Sequence, residues 1–340
     1  MTEKNYGGST SHGLKNKNVS VNKENNISNN KSKINKDSAL HDDKNKSSEE
    51  YSDFIKAGQI SIKVKEFARA LIKPGMPLLE IAEKIESEII KLGAKPAFPT
   101  NLAINDIAAH YTPAFNDTEK AHGLLKVDLG VQINGCTADT AFSLDLDNSE
   151  ENKKLIEAVE TALKNAISKV ALNAQLNTIG STIEETIKSF GFSPIINLSG
   201  HRIEQYSLHS GITIPNHGNS STVKIKEGVF AIEPFATNGF GSVRDGKPSG
   251  IYHLESPGSV RDNFAREVLG FIAEEYQTLP FCSRWIYKKF GSRGLLALRQ
   301  IEQSGILHHY PQLIERGLGK VAQAEHTIIL TPKEKIVITN

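Results

Sequence analysis

The sequence of 340 residues predicts an α+β fold of duplicated origin, in which strands deliver acidic side chains to a shared centre. Three observations support this prediction: a near-repeat along the chain, a β-hairpin with two aspartates, and two further strand-like segments that each contain a glutamate. The length suffices for one large domain or two ordinary ones, with a sizeable buried core.

The first 50 residues differ in composition from the rest of the chain. They contain ten Asn, nine Lys and a single aromatic residue, Tyr6. Such a segment offers too little apolar surface to offset the entropy of ordering it, so residues 1–50 are predicted to form a disordered tail. The fold is predicted to begin near Glu50.

Charge and composition exclude several classes of protein. The formal net charge is +1 and no long basic or acidic block occurs, which gives no argument for DNA or membrane binding. The N-terminus lacks the apolar run of a signal peptide, and no stretch reaches the ~18 apolar residues of a membrane span. Two cysteines, Cys136 and Cys282, are too few for a disulfide framework, so we predict a cytoplasmic protein.

Helical patterns precede the strands in each half of the chain. Amphipathic periodicity predicts helices over 51–73, before Pro74-Gly75, and over 79–92, before Gly93. Helical periodicity alone does not explain why a terminal glycine and a following proline also recur, so we infer an internal duplication. At an offset of 98 residues, Leu78, Ile81, Ile85, Ile89, Leu92, Gly93 and Pro96 match Leu176, Ile179, Ile183, Ile187, Phe190, Gly191 and Pro194.

Residues 127–143, VDLGVQINGCTADTAFS, predict a hairpin that turns at Asn134-Gly135. This register places Asp128 and Asp139 as diagonal neighbours on one face, about 7–8 Å apart at the backbone. Two carboxylates in an apolar ribbon repel each other unless a cation or a retained proton joins them. On this segment alone, two solvated aspartates on an exposed hairpin are the alternative.

The second half adds two strand-like segments around a helix-rich stretch. Residues 229–235 predict a strand that contains Glu233, and residues 321–330 predict one that contains Glu325. Residues 254–317 are helix-rich and have no counterpart in the first half, so we interpret them as an inserted helical subdomain. The main domain then comprises residues 51–253 and 318–340.

Five candidate metal ligands follow from these segments. Four carboxylates and one imidazole suit divalent Mn, Fe, Co or Zn, and so many acids can bridge two ions that lower the pKa of a water. Taken singly, either glutamate could be an ordinary strand acid on a solvent face. The candidates are Asp128, Asp139, His201, Glu233 and Glu325.

Three further residues are candidates for contact with a substrate. His110 precedes the hairpin, and His209 follows His201 by eight residues, which puts both rings on one side if the segment is extended. Phe98, next to Pro99, would provide an apolar wall. A structural role is the alternative for each histidine.

Five segments of the chain together closely resemble type 2 methionine aminopeptidases in their archaeal form, over residues 51–340. The resemblance implies a "pita-bread" fold with a pseudo-twofold axis, and a winged-helix-like insertion at 254–317. The segments are FPTNLAINDIAAHYTP, VDLGVQINGCTADTAFS, SGHRIEQYSLHSG, FAIEPFATNGFG and YPQLIERGLGKVAQAEHTIIL.

The resemblance also implies the site and the activity. It makes the five candidates the ligands of two divalent ions and makes His110 and His209 the substrate-contacting histidines. The implied reaction removes the initiator methionine from nascent polypeptides when the second residue is small. We expect a monomer that acts on nascent N-termini close to ribosomes. Ala324 replaces the family's usual phenylalanine, and residues 1–50 have no counterpart in short archaeal members.

Two alternative functions are compatible with this reasoning. A proline-directed aminopeptidase or prolidase of the same fold would use the same five ligands, but would usually carry a folded N-terminal domain and lack the insert. A non-catalytic RNA- or ribosome-binding relative would have lost its ligands, whereas all five are present here. The ligand set leaves the native metal open among Co, Mn, Fe and Zn.

Overall fold

The computed structural model describes residues 50–340 of the chain. The prediction of a tail over residues 1–50 therefore lies, apart from Glu50, outside the described residues.

The helices of the two halves share the offset of 98 residues. The first half has α1 (Ser52–Leu71) and α2 (Leu78–Lys91), and the second has α3 (Glu150–Lys169) and α4 (Leu176–Ser189). Gly93 and Gly191, which follow α2 and α4, both adopt a φ of 84°, the left-handed conformation that ends a helix. The predicted duplication thus reappears in the position and termination of each helix.

The strands follow the helices in each half. The first half has β1 (Lys95–Pro96), β2 (Asn101–Ile104), β3 (Ile107–Ala109), β4 (Leu124–Ile133) and β5 (Cys136–Asp145). The second half continues with β6 (Ser193–Pro194), β7 (Ser199–Ile203), β8 (Thr213–Pro215), β9 (Gly228–Ile232) and β10 (Phe235–Thr237).

The remaining elements are β11 (Val243–Leu254), α5 (Asn263–Glu275), β12 (Phe281–Cys282), α6 (Ser283–Gln303), β13 (Leu307–Glu315), β14 (Val321–Gln323), β15 (His326–Leu330) and β16 (Lys335–Val337). The strands form sheets of order β1-β4-β2 with β5 on β4, β14-β10-β6, β12-β11-β13-β3 and β16-β15-β9-β7-β8.

Each pair of helices covers its own sheet with a separate apolar cluster. Leu78 and Ile85 of α2 pack with Val127 and Leu129 of β4 in the first cluster. In the second cluster, residues of α3 and α4 pack with Phe230 and other residues of β9 and β15. Burial of one face of each helix therefore stabilises both halves in the same way.

The hairpin of β4 and β5 has the predicted register. Asp128 lies opposite Ala141, and Gly130 lies opposite Asp139. Asn134 and Gly135 have φ values of 51° and 81°, the two positive angles that a type I′ turn requires. The sequence therefore specifies this hairpin locally.

The two predicted glutamate strands are each split, which corrects the expectation of continuous strands. Residues 229–235 form β9 and β10 with Glu233 between them, and residues 321–330 form β14 and β15 with Glu325 between them. Pro234 has no N–H to donate to a ladder, and its carbonyl accepts a hydrogen bond from Ala324 N at 3.3 Å. The two strand breaks thus lie opposite each other, and neither glutamate takes part in strand pairing.

The helix-rich stretch packs its own cluster between β11 and β13. Val268 and Ile272 of α5 meet Leu298 and Ile301 of α6 in this cluster. The sheet of β11 and β13 reaches the first half through pairing of β13 with β3. The boundaries 254 and 317 stay a prediction. No helix among residues 50–340 has the length and apolar character to cross a bilayer.

Candidate metal centre

One cavity of about 250 Å³ brings together every residue that the sequence nominated. It lies where the strands of the two halves meet. Its walls include the five candidate ligands, both candidate histidines and Phe98, that is, Asp128, Asp139, His201, Glu233, Glu325, His110, His209 and Phe98.

The two halves hold each other's acids through buried threonines. Thr327 Oγ1 of β15 accepts a hydrogen bond from Asp139 N at 2.8 Å and donates one to Asp139 O at 2.8 Å. Thr140 Oγ1 of β5 donates to Glu325 O at 2.9 Å, and Glu325 N donates to Ala141 O at 3.0 Å. The backbone of each acid is therefore anchored by the opposite half.

His201 lies at the centre of the cavity, close enough to two acids to share a metal ion with them. Its Nε2 lies 3.7 Å from Asp139 Oδ2 and 3.5 Å from Glu233 Oε1. Ligand atoms of Asp139, His201 and Glu325 all lie within 4.8 Å of one another. Such a group of oxygen and nitrogen donors around one point can hold a divalent cation.

Burial makes ionisation of the four acids costly. Desolvation raises the pKa of Asp128 to about 7. Desolvation, followed by the charge of neighbouring acids, raises the pKa values of Asp139, Glu233 and Glu325 well above the usual range. A divalent cation between these groups would reverse that penalty, because it favours the charged form of each.

Unsatisfied oxygens test whether a metal fits. Asp128 Oδ1 and Asp139 Oδ1 are buried and have no hydrogen-bond partner among residues 50–340. Asp128 Oδ2 accepts only a long bond, from Gln323 Nε2 at 3.4 Å. Buried carboxylate oxygens are normally satisfied, so oxygens directed into a cavity without partners fit metal ligation.

His201 and His209 are adjacent, although the predicted reason does not hold. Their rings lie 4.3 Å apart between centroids in an edge-to-face arrangement. The segment between them is not extended, because β7 ends at Ile203 and a bridge between Glu204 and Ser207 turns the chain. A local turn therefore produces the proximity that an even residue spacing was expected to give.

The pKa values of both candidate substrate histidines are lowered, which favours the neutral imidazole. Desolvation, then the nearby His110, lowers the pKa of His209 to about 4. Desolvation also lowers the pKa of His110, whose Nδ1 lies 3.1 Å from Pro311 O. A carbonyl oxygen only accepts, so Nδ1 carries the hydrogen and Nε2 of the neutral ring remains an acceptor.

Phe98 lies in the cavity wall against the first hairpin. It is buried with Ala97 and Leu208 in a small apolar cluster. A Cβ atom at Gly130 would overlap the Phe98 ring, so this position of β4 requires a glycine. The apolar wall predicted from the sequence thus depends on a close approach between the ring and the strand.

Sequence reasoning missed several groups around the cavity. Tyr310 lies in its wall and packs edge-on against the His110 ring at 5.2 Å. Gln323, Thr140 and Thr327 contact the acids or their backbone. Gln323 could have been found from its place two residues before Glu325 in a strand-like segment, whereas Tyr310 carried no local signal.

Comparison with known proteins identifies the family to which the chain belongs. The model of metallopeptidase family M24 matches residues 53–332. The methionine aminopeptidase of Pyrococcus abyssi is 49% identical, over 84% of this chain and 97% of that protein. The methionine aminopeptidase of Methanocaldococcus jannaschii is 45% identical, over 83% of this chain and 96% of that protein.

Solved structures share the fold at lower identity. A methionine aminopeptidase from Thermotoga maritima has a TM-score of 0.60 and 21% identity, covering 84% of this chain and 94% of that chain. A thermophilic Arx1 has a TM-score of 0.72 and 16% identity, with coverage of 84% and 90%. The prolidase from Pyrococcus furiosus has a TM-score of 0.53 and 19% identity, with coverage of 86% and 64%. These likenesses confirm the predicted pita-bread fold.

Proposed function

Because the chain belongs to metallopeptidase family M24 and is a metal-dependent aminopeptidase, we propose that it removes the initiator methionine from nascent polypeptides whose second residue is small. The observation that carries the proposal is the convergence of four acids, of which Asp139 and Glu325 are buried, and three histidines on one cavity. A cavity of about 250 Å³ accommodates a side chain and the adjoining peptide bond rather than a folded protein surface.

The proposed cofactor is a pair of divalent ions, held by Asp128, Asp139, His201, Glu233 and Glu325. The two unpartnered aspartate oxygens and the oxygen-rich donor set support this assignment. When bound, such ions supply a water of lowered pKa and polarise a carbonyl oxygen. Co, Mn, Fe and Zn all suit these donors, and the native metal stays open.

Glu233 is proposed to accept the proton of the attacking water and return it to the leaving amine. Its side chain retains 14% exposure, compared with 5% for Asp139, so it is the more accessible of the two to substrate. Its position at the break between β9 and β10 directs it into the cavity. A carboxylate held beside the attacking water can make both transfers.

The two histidines are proposed to orient the peptide. Neutral His209 can donate a hydrogen bond to the oxygen that becomes negative during attack, which is a stabilisation that a cavity of low dielectric strengthens. His110, through its acceptor Nε2, can receive the N–H of the residue after methionine. Phe98 would line the methionine pocket, where an unbranched thioether packs well and a charge would be desolvated at a cost.

Substrates and setting follow from the same proposal. Nascent polypeptide N-termini are the proposed substrates, with transient proximity to ribosomes, and the protein is proposed to be a cytoplasmic monomer. Both cysteines are buried free thiols, as a reducing compartment would leave them. A proline-directed peptidase is the second candidate, since a prolidase shares the fold, but the relatives at 45–49% identity favour methionine.

A panel of short peptides tests the assignment. Purified protein, loaded in turn with Co, Mn, Fe or Zn, is assayed on peptides beginning Met-Gly, Met-Val, Met-Leu, Ala-Pro and Leu-Pro. We expect cleavage of the first two, much slower cleavage of Met-Leu, and none of the last two. Asp139→Asn protein is the matched control for contaminating peptidases. Efficient cleavage of Ala-Pro with inert Met-Gly would replace the proposal by the proline-directed one.

A further inference from the structure

A buried ion pair joins the helix-rich stretch to the first half of the molecule. Glu86 of α2 and Arg284 of α6 are 6% and 3% exposed. The guanidinium donates two bonds to the carboxylate, Nη1 to Oε2 at 2.7 Å and Nη2 to Oε1 at 2.8 Å. Trp285 Nε1 donates a further bond to Glu86 Oε2 at 2.8 Å. The fork geometry makes the pair directional as well as strong.

The same two side chains hold two loops that enter the cavity. Thr100 N donates to Glu86 Oε1 at 3.2 Å, and Arg284 Nε donates to Pro113 O at 3.0 Å. Thr112 Oγ1 closes the network by donating to Thr100 O at 2.9 Å. One carboxylate and one guanidinium thus fasten residues 100 and 112–113 to each other and to α6.

Each fastened position lies two residues from a group in the cavity wall. Phe98 precedes Thr100, and His110 precedes Thr112. His110 has a φ of 61°, a left-handed conformation that is uncommon for residues other than glycine. On its other side, His110 is held by the bond between its ring and Pro311 O. His110 therefore lies between two restraints, the fastened loop at Thr112 and the ring bond to Pro311.

We propose that Glu86 and Arg284 form a positioning pair, through which the helix-rich stretch holds His110 and Phe98 in the geometry that binds substrate. The inference rests on the proposed function, because the substrate role of His110 is itself proposed. A buried ion pair can often be replaced by well-packed apolar residues with no loss of stability. The contribution proposed for Glu86 and Arg284 is therefore to the position of the two cavity residues rather than to the stability of the fold.

Two variants, one that removes the ion pair and one that alters its geometry, leave no single charge buried and unpaired. Glu86→Gln/Arg284→Gln removes both charges and retains an amide oxygen for Thr100 N, while Arg284→Lys retains the charge but loses the fork and the Nε donor. The matched control is Glu80→Gln/Lys84→Met, because Lys84 Nζ and Glu80 Oε1 form an exposed pair at 2.6 Å on the same helix.

The expected result is a loss of substrate use without loss of metal. The neutral double variant should lower kcat/KM on a Met-Gly peptide by roughly tenfold to a hundredfold, because small displacements of positioning groups are costly. Bound metal should stay at the wild-type stoichiometry, and the control variant should match the wild type. Arg284→Lys should fall between them, and it decides the question if the double variant does not fold.

A double-mutant cycle with His110 distinguishes an effect on the position of His110 from a general loss of stability. In a His110→Ala background, the neutral double variant should cost less than about threefold, because the group through which it acts is already absent. An equal loss in both backgrounds, or a loss that follows a fall in bound metal, would overturn the proposal.

The second readout does not depend on turnover. In zinc-loaded protein labelled with 15N-histidine, the His110 imidazole signal, assigned from its disappearance in His110→Ala, should shift in the neutral variant and in Arg284→Lys but not in the control. An unmoved signal would also overturn the proposal. If wild-type protein fails to cleave methionyl peptides, the proposed function fails, whereas this signal still decides the positioning role.

Discussion

The two halves of the molecule share the same arrangement of helices and strands, called here the duplicated frame, and differ in the side chains that this frame carries. Pro96 of β1 pairs with Val131, three residues after Asp128, and Pro194 of β6 pairs with Ala236, three residues after Glu233. Asp128 and Glu233 therefore occupy equivalent positions of the duplicated frame. Each frame presents one acid to the cavity at the same point.

The two halves differ in the strand next to the one that carries this shared acid. At the offset of 98 residues, Ala103 of β2 corresponds to His201 of β7, so at this strand position only the second half supplies an imidazole to the cavity. In the first half, Asp128 and Asp139 come from one continuous hairpin. In the second half, α5, α6 and five strands intervene between Glu233 and Glu325. Duplication therefore supplied the scaffold, and single positions made the site asymmetric.

Loss of an acid from either half should give the largest effect. Asp139→Asn and Glu325→Gln each remove a charge while retaining the shape of the side chain. Loss of a residue that only hydrogen-bonds a metal ligand costs about 10–100-fold in activity. Loss of a ligand itself is therefore expected to lower turnover by more than about a hundredfold. Steady-state kinetics and metal analysis on both variants measure this. Reversible inactivation by a chelator should accompany it. Near-normal activity in one variant alone would show that the halves contribute unequally.

The reciprocal threonines should give an intermediate effect. Thr327→Val removes the bonds to Asp139, and Thr140→Val removes the bond to Glu325. Each should weaken metal binding by roughly tenfold, because a group that orients a ligand is lost. Calorimetric titration with zinc measures the affinity. The exposed Thr331→Val serves as control, and an effect from only one of the two buried threonines would contradict mutual support between the halves.

The pH dependence of the metal-free protein should give the smallest effect. The pKa values of all four acids are raised in the fold, so between about pH 4 and those raised values the folded state binds more protons than the unfolded state. The contribution of these acids to the free energy of unfolding therefore falls as pH rises through this range. Between pH 5 and pH 8, chelated wild-type protein should lose several degrees more of melting temperature than a variant in which one of the acids cannot titrate, because both proteins share the opposing contribution of the buried histidines, whose pKa values are lowered.

Added zinc at pH 8 should restore the melting temperature, because the cation then favours the charged acids. Asp128→Asn and Glu233→Gln test the equivalence of the halves, since each should flatten the pH profile to a similar extent. Parallel profiles in the chelated wild-type protein and in both variants would contradict the raised pKa values of the acids.

Local signals in the sequence anticipated the parts of the fold that form from neighbouring residues. The Asn134-Gly135 turn gave the register of Asp128 and Asp139, because a two-residue loop leaves one pairing. The glycines after α2 and α4, together with the apolar periodicity, gave the paired helices. The resemblance in five motifs added the roles that it implies for the candidate site residues.

Longer-range features were beyond the reach of local pattern. Pro234 beside Glu233 disfavours a continuous strand there. Nothing near Glu325 indicated a facing break, because the match between the two breaks depends on the bond between Ala324 and Pro234 across two strands. The proximity of His209 to His201 came from a turn rather than from the expected extended segment.

By itself, the sequence determined the duplicated helices, the first hairpin and the chemistry of the candidate ligands, since these depend on periodicity, turn residues and side-chain type. Only the tertiary structure decided how far each carboxylate is buried, which threonine holds which acid, and that Arg284 reaches Glu86. Those properties arise from contacts between residues far apart in the chain, whose desolvation and hydrogen bonds exist only after the halves have packed together.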